Sequence, residues 1–294
     1  MSREDTGLTQ GAPEPPAHDD GPLGTDGLKD HVAVVSGGAS GMGWMTAEAF
    51  AQAGAAVVIL ARNPQKLETA AAILRDRGAR CLALSADVRK PGAIAAAFDE
   101  AEAAFGPATI LSNNAGGNFP VLADQMSANA WRSVTQIALD GTLNTSREFA
   151  RRRIAAGGGG AIVNNSAQYV WSGFPADAHS AAAKAGVVGL TQALAKTWRP
   201  HRIRVNCVAA GFHPYDETHL HDPPDDERAR RTGEMIPAGR TGRRREFGWL
   251  MAFLCSPHLP GVSGQTLVLD GGDRLRRSLM SPAFVPPRER EALW

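Results

Sequence analysis

The sequence predicts an α/β protein: one doubly wound parallel sheet of about seven strands, with helices packed on both faces. The first observation is a strand-to-helix turn, in which the apolar run at 32–35 leads into glycines at 37, 38, 41 and 43 and then into a helix-prone run at 45–53. The second is that short apolar runs and helix-length segments alternate strictly up to residue 269. Strands joined by helical crossovers lie parallel to one another.

Seven runs have the length and composition of buried strands. They cover residues 32–35, 56–60, 81–86, 109–112, 161–165, 204–208 and 266–269. The predicted helices cover 45–53, 64–77, 91–105, 130–153, 181–197 and 244–255. Asn63 and Pro64 illustrate the local signals, because asparagine is a favoured N-cap and proline a favoured first helical residue.

The glycine-rich turn at 37–43 suits the binding of a dinucleotide. Backbone can approach a pyrophosphate only where no Cβ atom intervenes, and the N–H groups and dipole of the following helix then face the negative charge. The alternative is a tight strand-to-helix turn that binds no ligand.

Composition excludes several classes of protein. Hydrophobic residues make up 43% of the 294 residues, and the formal net charge of +1 does not indicate a nucleic-acid partner. No apolar run reaches the roughly 18 residues that span a bilayer, and we expect neither a membrane segment nor a signal peptide. Cys81, Cys207 and Cys255 are far apart and odd in number, as expected for reduced thiols in a cytoplasmic protein.

Three segments depart from the alternating pattern. Residues 1–28 are rich in proline, glycine and acidic side chains, and we expect a disordered acidic leader there. Residues 29–273 form the predicted domain, and 274–294 form a basic tail that either docks on a neighbour or stays mobile. Within the domain, 212–239 follows a strand and lacks clear periodicity. Because ligands bind outside the carboxyl ends of such strands, this segment is a candidate substrate lid.

Five motifs along residues 29–273 resemble the short-chain dehydrogenase/reductase family. They are SGGASGMG at 36–43, ADV at 86–88, NNAG at 113–116, AAAKAG at 181–186 and IRVNCVAAG at 203–211. The resemblance implies a Rossmann-like sheet, a nicotinamide cofactor and a homo-oligomer, either a dimer or a tetramer. It places these residues at the cofactor: Gly37, Ser40, Gly41, Met42, Gly43, Asp87, Val88, Asn114, Ala115, Gly116, Lys184, Gly211 and Phe212.

The end of the second strand indicates which nicotinamide cofactor is used. Family members that prefer NAD have an acidic residue there, whereas this sequence has Ala61 followed by Arg62. Without the carboxylate a 2′-phosphate is not repelled, and a guanidinium can bind it through charge-assisted hydrogen bonds. The resemblance therefore favours NADP(H), with Arg62 as a further cofactor-binding residue. The alternative is that Arg62 is a solvated surface charge.

Most of the family's usual catalytic residues are missing. Most members use Asn, Ser, Tyr and Lys for carbonyl chemistry, with the Tyr four residues before the Lys. Lys184 is present, but the positions that align with the other three are Ala138, Ala167 and Ser180. Because a methyl group donates no proton, we do not expect ketone reduction by the common mechanism.

One branch of the family, the 2,4-dienoyl-CoA reductases, has a different catalytic set that this sequence matches. Its mitochondrial-type members have a Tyr fifteen residues before the Lys, a Ser four before it, and an Asn in a GNF segment after NNAG. Tyr169, Ser180, Lys184 and Asn118 occupy these positions, and SANAW at 127–131 is also similar.

That resemblance implies NADPH-dependent reduction of a conjugated dienoyl- or enoyl-CoA thioester. Hydride would add to the far end of the diene, and negative charge would then develop on the thioester oxygen of a dienolate. Tyr169 and Asn118 would stabilise this charge as hydrogen-bond donors, as in an oxyanion hole. Lys184 would bind the nicotinamide ribose, and Ser180 would orient Lys184 or link it to the substrate.

Each of these residues also has a simpler interpretation. Tyr169 could cover the end of the sheet, Asn118 could cap its loop, and Ser180 could be a helix N-cap. At the level of function, the alternatives are a carbonyl or enone reductase acting on a secondary metabolite, and an NADP(H)-binding protein that has lost catalysis.

The charged clusters near the candidate lid give weaker signals. His213, His219, His221 and Asp222 have a spacing that only weakly resembles a metal site, and we expect no metal. The arginines at 240 and 243–245 either begin a solvated helix or attract the phosphates of an acyl-CoA.

Overall fold

The central sheet contains the seven strands that the sequence predicts. The computed structural model describes residues 21–214 and 227–275. All neighbouring strands are parallel, in the spatial order β3-β2-β1-β4-β5-β6-β7, which confirms the doubly wound parallel sheet. The strands are β1 (Val32–Ser36), β2 (Ala56–Ala61), β3 (Cys81–Ser85), β4 (Ile110–Asn113), β5 (Gly160–Ala167), β6 (Ile203–Ala210) and β7 (Thr266–Leu269).

Helices connect the strands and lie on both faces of the sheet. They are α1 (Gly41–Gln52), α2 (Pro64–Asp76), α3 (Pro91–Phe105), α4 (Ala128–Thr135), α5 (Gly141–Ala155), α6 (Tyr169–Ser172), α7 (Ala178–Trp198), α8 (Glu227–Met235) and α9 (Arg244–Cys255). Helices α1, α2 and α9 contribute to the core on one face, whereas α3, α5 and α7 contribute to the core on the other.

Burial on both faces explains why the strands are continuous apolar runs in the sequence. In β2, Val57 and Ile59 join the first core, and the alternate residues Val58 and Leu60 join the second. A strand buried in this way has no solvated face, so it shows none of the polar alternation that is typical of surface strands.

The helix predicted at 130–153 is interrupted. A π-helical turn, Gln136–Asp140, lies between α4 and α5. Next to it, the Thr142 hydroxyl donates a hydrogen bond of 2.8 Å to the Ala138 carbonyl. Such side-chain bonds compete with the regular helical pattern, and a π turn adds a residue that the 3.6-residue period of the sequence does not reveal.

The domain begins before the predicted boundary at residue 28. Residues 21–28 are described, the Leu28 side chain is buried, and its N–H donates to the Ala53 carbonyl at 2.7 Å. Disorder is therefore the wrong expectation for residues 21–28, because one buried leucine anchors a segment that has no periodic pattern. Residues 1–20 and 276–294, which hold the rest of the predicted leader and nearly all of the basic tail, lie outside the described residues.

Part of the candidate lid is helical. Helix α8 falls within 212–239, where the sequence shows no apolar period. Ion pairs join its exposed side chains instead: Arg231 to Glu227 at 2.7 Å, and Arg230 to both Glu227 and Glu234. These are i, i+3 and i, i+4 pairs, which stabilise a helix without giving it an apolar stripe.

The strand order places the predicted motifs together. From β1 the next strands, β2 and β3, are added on one side of the sheet, and from the neighbouring β4 the later strands are added on the other side. Ligands bind beside the carboxyl ends of the strands where the order of strands reverses in this way. The glycine turn follows β1, and the NNAG segment includes the end of β4. Across the described ranges, no helix has the length and apolar character needed to cross a bilayer.

Candidate active site

The turn after β1 requires glycine at two positions. Gly37 has a φ of +70°, and a Cβ there would lie 2.8 Å from the backbone nitrogen of Ala115. A Cβ on Gly43 would lie 2.1 Å from the carbonyl oxygen of Gly37. The Ser40 side chain makes no capping bond to the first N–H groups of α1. The turn therefore packs closely on the loop after β4 and presents helix N–H groups that suit an anion.

The loop after β4 holds a buried acceptor that has no partner in the described part of the chain. The Ser36 hydroxyl accepts hydrogen bonds from the backbone N–H groups of Asn114 (3.2 Å) and Ala115 (3.3 Å). The Asn114 amide donates to the Ser112 hydroxyl at 2.8 Å, but its Oδ1 is buried without a partner. An unsatisfied acceptor is costly, and a ligand hydroxyl would satisfy it.

Positive charge lies beside the end of β2. Arg89 forms an ion pair with Asp87 at 2.6 Å and, chiefly through these hydrogen bonds, lowers the pKa of Asp87 to about 2. Arg62 is exposed and makes a smaller electrostatic contribution to the same shift. The predicted residues Arg62 and Asp87 are thus brought together. Sequence reasoning missed Arg89, whose only signal was its position just after the ADV motif.

Lys184 extends from α7 to the carboxyl end of β5. Its ammonium donates to the Asn165 carbonyl at 2.7 Å, and a Cβ on Gly116 would lie 4.0 Å from Nζ. Burial lowers the pKa of Lys184 to about 8. The cation therefore lies between β5 and the NNAG loop.

Tyr169 is positioned by the short helix α6, which begins two residues after β5. Its hydroxyl lies 2.8 Å from the Ser180 hydroxyl. The pKa of Tyr169 is raised, mainly by burial; the hydrogen bond with Ser180 opposes the rise, and the charge of Asp177 adds to it. The structure thus joins Ser180 to Tyr169, whereas the hydrogen bond of the Lys184 ammonium goes to Asn165. Within the described structure, these two side chains therefore make other contacts than the predicted one between Ser180 and Lys184.

Asn118 lies on the loop after β4, opposite the start of α7. Its amide donates to the carboxylate of Asp177 at 2.8 Å, although the two residues are 59 positions apart. An amide has two N–H donors, so Asn118 keeps one for a further acceptor. Sequence reasoning missed Asp177, because nothing in a linear pattern signals a contact between a loop and a distant helix.

The remaining predicted site residues have supporting positions. Val88 is buried against Gly141, where a Cβ would lie 2.5 Å from the valine side chain. Gly211 follows β6, and its N–H donates to the Leu269 carbonyl at 2.8 Å. Phe212 is 41% exposed beyond that strand. Met42 is partly buried and packs against the first core.

Two positions that carry catalytic groups in most of the family are apolar here. Ala138 is buried within the π-helical turn, and Ala167 ends β5. Beneath them, the Asn113 amide donates to Ser146 and to Asn164, at 2.9 Å each. A network that satisfies its buried polar groups stiffens the part of the sheet below the site.

Large apolar side chains on the segments that follow β4, β5 and β6 remain exposed. Phe174 lies 6.1 Å from Tyr169 between ring centroids, and Arg274 stacks over the Trp171 ring at 5.6 Å. The exposed members of this apolar rim are Phe119, Trp171, Phe174 and Phe212. Such a surface suits an apolar ligand.

The charged clusters near the lid are engaged within the protein. Arg240 pairs with Glu246 at 2.6 Å, Arg244 pairs with Glu48 at 2.9 Å, and Arg245 stacks on an indole ring at 5.5 Å. Each of these three arginines therefore has a partner within the protein.

No metal centre is formed in the part of the chain that the structure describes, where no three His, Cys, Asp or Glu side chains are grouped as ligands. His213 is buried, and burial lowers its pKa. His219, His221 and Asp222 lie outside the described residues.

Comparison with known proteins identifies the family. Residues 37–273 match the family described as enoyl-(acyl carrier protein) reductase. The chain belongs to the short-chain dehydrogenase/reductase family. Within it, the chain resembles the 2,4-dienoyl-CoA reductase branch, and it is an oxidoreductase by membership of that family.

Two relatives and one solved structure show the extent of the similarity. The chain is 36% identical to the probable 2,4-dienoyl-CoA reductase 3 of Caenorhabditis elegans, over 86% of this chain and 84% of the relative. It is 39% identical to the peroxisomal 2,4-dienoyl-CoA reductase of Danio rerio, over 84% and 82%. A gluconate 5-dehydrogenase from Burkholderia cenocepacia, solved in complex with NADP and tartrate, is 32% identical with a TM-score of 0.77, over 88% of this chain and 100% of that one.

The residues present fit the nicotinamide cofactor that the family uses. The turn after β1 leaves no room for a Cβ, the Asn114 Oδ1 is an unsatisfied buried acceptor, and the Lys184 ammonium lies beside the same loop. These features lie at the carboxyl edge of the sheet and suit a pyrophosphate and ribose hydroxyls.

Proposed function

We propose that the protein uses NADPH to reduce a conjugated 2,4-dienoyl- or enoyl-CoA thioester. The observation that carries the proposal is the hydrogen bond of 2.8 Å between the hydroxyls of Tyr169 and Ser180. Ser180 lies on α7 four residues before Lys184, at the position where most of the family has its tyrosine. The Tyr169 hydroxyl, held from α6, would take the place of that tyrosine. The relatives named as 2,4-dienoyl-CoA reductases support the same chemistry.

The cofactor would be bound by the glycine turn, Asn114 and Lys184. When bound, the reduced nicotinamide supplies the hydride. Lys184 would bind the ribose hydroxyls and fix the position of the ring. Arg62 favours NADPH over NADH, because a guanidinium at the end of β2 can pair with a 2′-phosphate and no carboxylate repels it there.

Tyr169 would act as a neutral hydrogen-bond donor. Because its pKa is raised, the hydroxyl stays protonated across the physiological range. Ser180 accepts from or donates to the same oxygen and restricts its position. Together with the second N–H of Asn118, the hydroxyl would stabilise the charge on the thioester oxygen, and one such donor contributes about 3 to 4 kcal/mol. The final proton can come from water.

The apolar rim favours an acyl chain as the ligand. Phe119, Trp171, Phe174 and Phe212 present exposed rings on the segments that follow β4, β5 and β6, at the same edge of the sheet as the two donors. An acyl chain would cover these rings, and the burial of apolar area would stabilise the complex.

We also propose that the protein is a cytoplasmic homo-oligomer, a dimer or a tetramer. Trp131 on α4 and Leu143 and Ile154 on α5 are exposed large apolar side chains on neighbouring helices. A second copy of the chain would cover this surface.

A substrate comparison tests the proposed function. NADPH oxidation is measured with a trans-2,trans-4-dienoyl-CoA, a simple enone and a ketone. We expect turnover on the dienoyl-CoA. Turnover on the enone or ketone alone would instead assign the protein to carbonyl or enone reduction. NADPH binding without turnover on any of the three would indicate a protein that has lost catalysis.

A further inference from the structure

Asp177 is a buried carboxylate that the proposed reaction does not use. It occupies the N-cap position of α7, where an aspartate ordinarily accepts a hydrogen bond from an N–H of the first turn. Here the side chain makes no such bond. It accepts a hydrogen bond of 2.8 Å from the Asn118 amide instead.

His179 satisfies a helix N–H that Asp177 would otherwise cap. The N–H of Ser180 donates to Nδ1 of His179 at 2.8 Å. The imidazole is fully buried and packs edge-on against Phe119, with 5.0 Å between ring centroids. This arrangement leaves the Asp177 carboxylate for the loop that carries Asn118.

A carboxylate fixes which way an amide points. Ionised Asp177 only accepts hydrogen bonds, so Asn118 must turn its NH₂ group, not its carbonyl oxygen, toward it. Without that partner the amide could rotate by half a turn and present its carbonyl oxygen to the substrate. An oxygen in that place would repel the charge that the site has to stabilise.

We propose that Asp177 is a positioning residue that orients the Asn118 amide so that its second N–H faces the thioester oxygen of the substrate. The inference rests on the proposed function, and it adds a residue that acts on the reaction only through Asn118. The negative charge itself would not stabilise a dienolate, so the benefit of Asp177 lies in orientation.

The same carboxylate affects Tyr169 through its charge. Burial is the largest cause of the raised pKa of Tyr169, the Ser180 bond opposes it, and Asp177 contributes to the rise. On the elements packed against α6, α7 carries His179, Lys184 and, in its last turn, Lys196, and the 3-10 turn Asp273–Leu275 carries Asp273 and Arg274. Removal of the Asp177 charge should therefore lower the pKa of Tyr169 while those groups stay in place.

A double-mutant cycle tests the coupling of Asp177 to Asn118. We measure kcat on the dienoyl-CoA for Asp177→Ala, Asp177→Asn, Asn118→Ala and the double variant Asn118→Ala/Asp177→Ala. Loss of the orienting contact should lower kcat by about ten- to a hundredfold in Asp177→Ala. It should add little in the Asn118→Ala background, because a residue that acts through another has no separate effect. Asp177→Asn can still accept from the amide through its carbonyl oxygen, but it can also donate and so does not enforce one orientation of Asn118; its kcat should fall between those of the wild type and Asp177→Ala.

A spectroscopic titration measures, in the absence of substrate, how the charge of Asp177 affects the pKa of Tyr169. The chain has two tyrosines, Tyr169 and Tyr215, so tyrosinate absorbance in a Tyr215→Phe background reports Tyr169 alone. Asp177→Asn in that background should ionise Tyr169 at a lower pH than the parent. The control is Asp76→Asn, which removes an equal charge from the exposed end of α2 and should leave the titration unchanged.

Additive losses in the cycle, or an unchanged Tyr169 titration in Asp177→Asn, would overturn the inference while leaving the proposed function intact. Wild-type protein that binds NADPH but does not turn over the dienoyl-CoA would overturn the proposed function. An Asn118→Ala variant with full dienoyl-CoA turnover would overturn the donor role of Asn118, and the positioning role of Asp177 with it. The two failures are therefore distinguishable.

Discussion

Lys184 should stabilise the protein less than a methionine of similar length would. The ammonium is packed between β5 and the NNAG loop, and burial lowers its pKa from the ordinary value of 10.5 to about 8. In the absence of cofactor, its hydrogen bond to the Asn165 carbonyl is the stabilising contact that it makes. We therefore consider Lys184→Met, measured on the cofactor-free protein.

The sign and size of the effect follow from the two pKa values. Between about pH 8 and 10.5 the unfolded chain binds a proton that the folded chain has lost, so the free energy of unfolding rises with pH in that window. At pH 7 the full cost of burying the charged ammonium is present. The difference between the pKa values of Lys184 in the unfolded and the folded chain, at about 1.4 kcal/mol per pH unit, makes this cost about 3 kcal/mol. Loss of the hydrogen bond offsets about 1 kcal/mol. Lys184→Met should thus be about 2 kcal/mol more stable at pH 7.

Urea denaturation at pH 7 and at pH 10 measures the free energy of unfolding with and without most of the cost of the buried ammonium. In the difference between variant and wild type, the contributions of the other titrating groups cancel. The advantage of Lys184→Met should shrink or reverse at pH 10, while NADPH binding is lost at either pH. Equal stabilities at pH 7, or a difference between the proteins that does not change with pH, would refute the reasoning about the buried ammonium.

Three further predictions concern the cofactor turn and the domain boundary. Gly43→Ala places a Cβ 2.1 Å from a backbone oxygen and should cost about 3 kcal/mol and abolish NADPH binding. Gly92→Ala, in α3 with no atom within 4 Å of the new Cβ, should stabilise by up to about 1 kcal/mol and leave binding unchanged; urea denaturation and cofactor titration compare the two variants. Arg62→Ala should weaken NADPH binding roughly tenfold and leave NADH binding unchanged, and equal losses for both cofactors would contradict a 2′-phosphate contact. Leu28→Ala removes a side chain that is 1% exposed and should cost about 2 to 5 kcal/mol. Unchanged stability would show that the segment before β1 is not part of the domain.

The strands were predictable because each has to be apolar on both faces. Thr266–Leu269 has the predicted bounds, and the others differ only at their ends. Strand ends are harder to predict because polar residues such as Asn113 and Ser166 continue the ladder where the sheet meets the site. The helix α8 could not be predicted from periodicity, because ion pairs and not an apolar stripe mark its face.

The chemistry of the site was only partly accessible from sequence. The resemblance to the family selects Tyr169 and Lys184, because these residues stand at the spacing that its 2,4-dienoyl-CoA reductase branch has. The partners of these residues depend on how loops pack. The contact between Asn118 and Asp177 joins residues 59 positions apart, and the orphaned oxygen of Asn114 is defined only once the turn after β1 is in place.

The most direct measurement is kcat on a trans-2,trans-4-dienoyl-CoA for wild type, Tyr169→Phe and Asn118→Ala, with the NADPH dissociation constant measured alongside. If the two side chains stabilise the thioester oxygen, each variant should lose about two to three orders of magnitude in kcat and bind NADPH as the wild type does. Variants that keep kcat within a few-fold of wild type would contradict the assignment of these donors. A loss that is explained by weaker NADPH binding would contradict it equally.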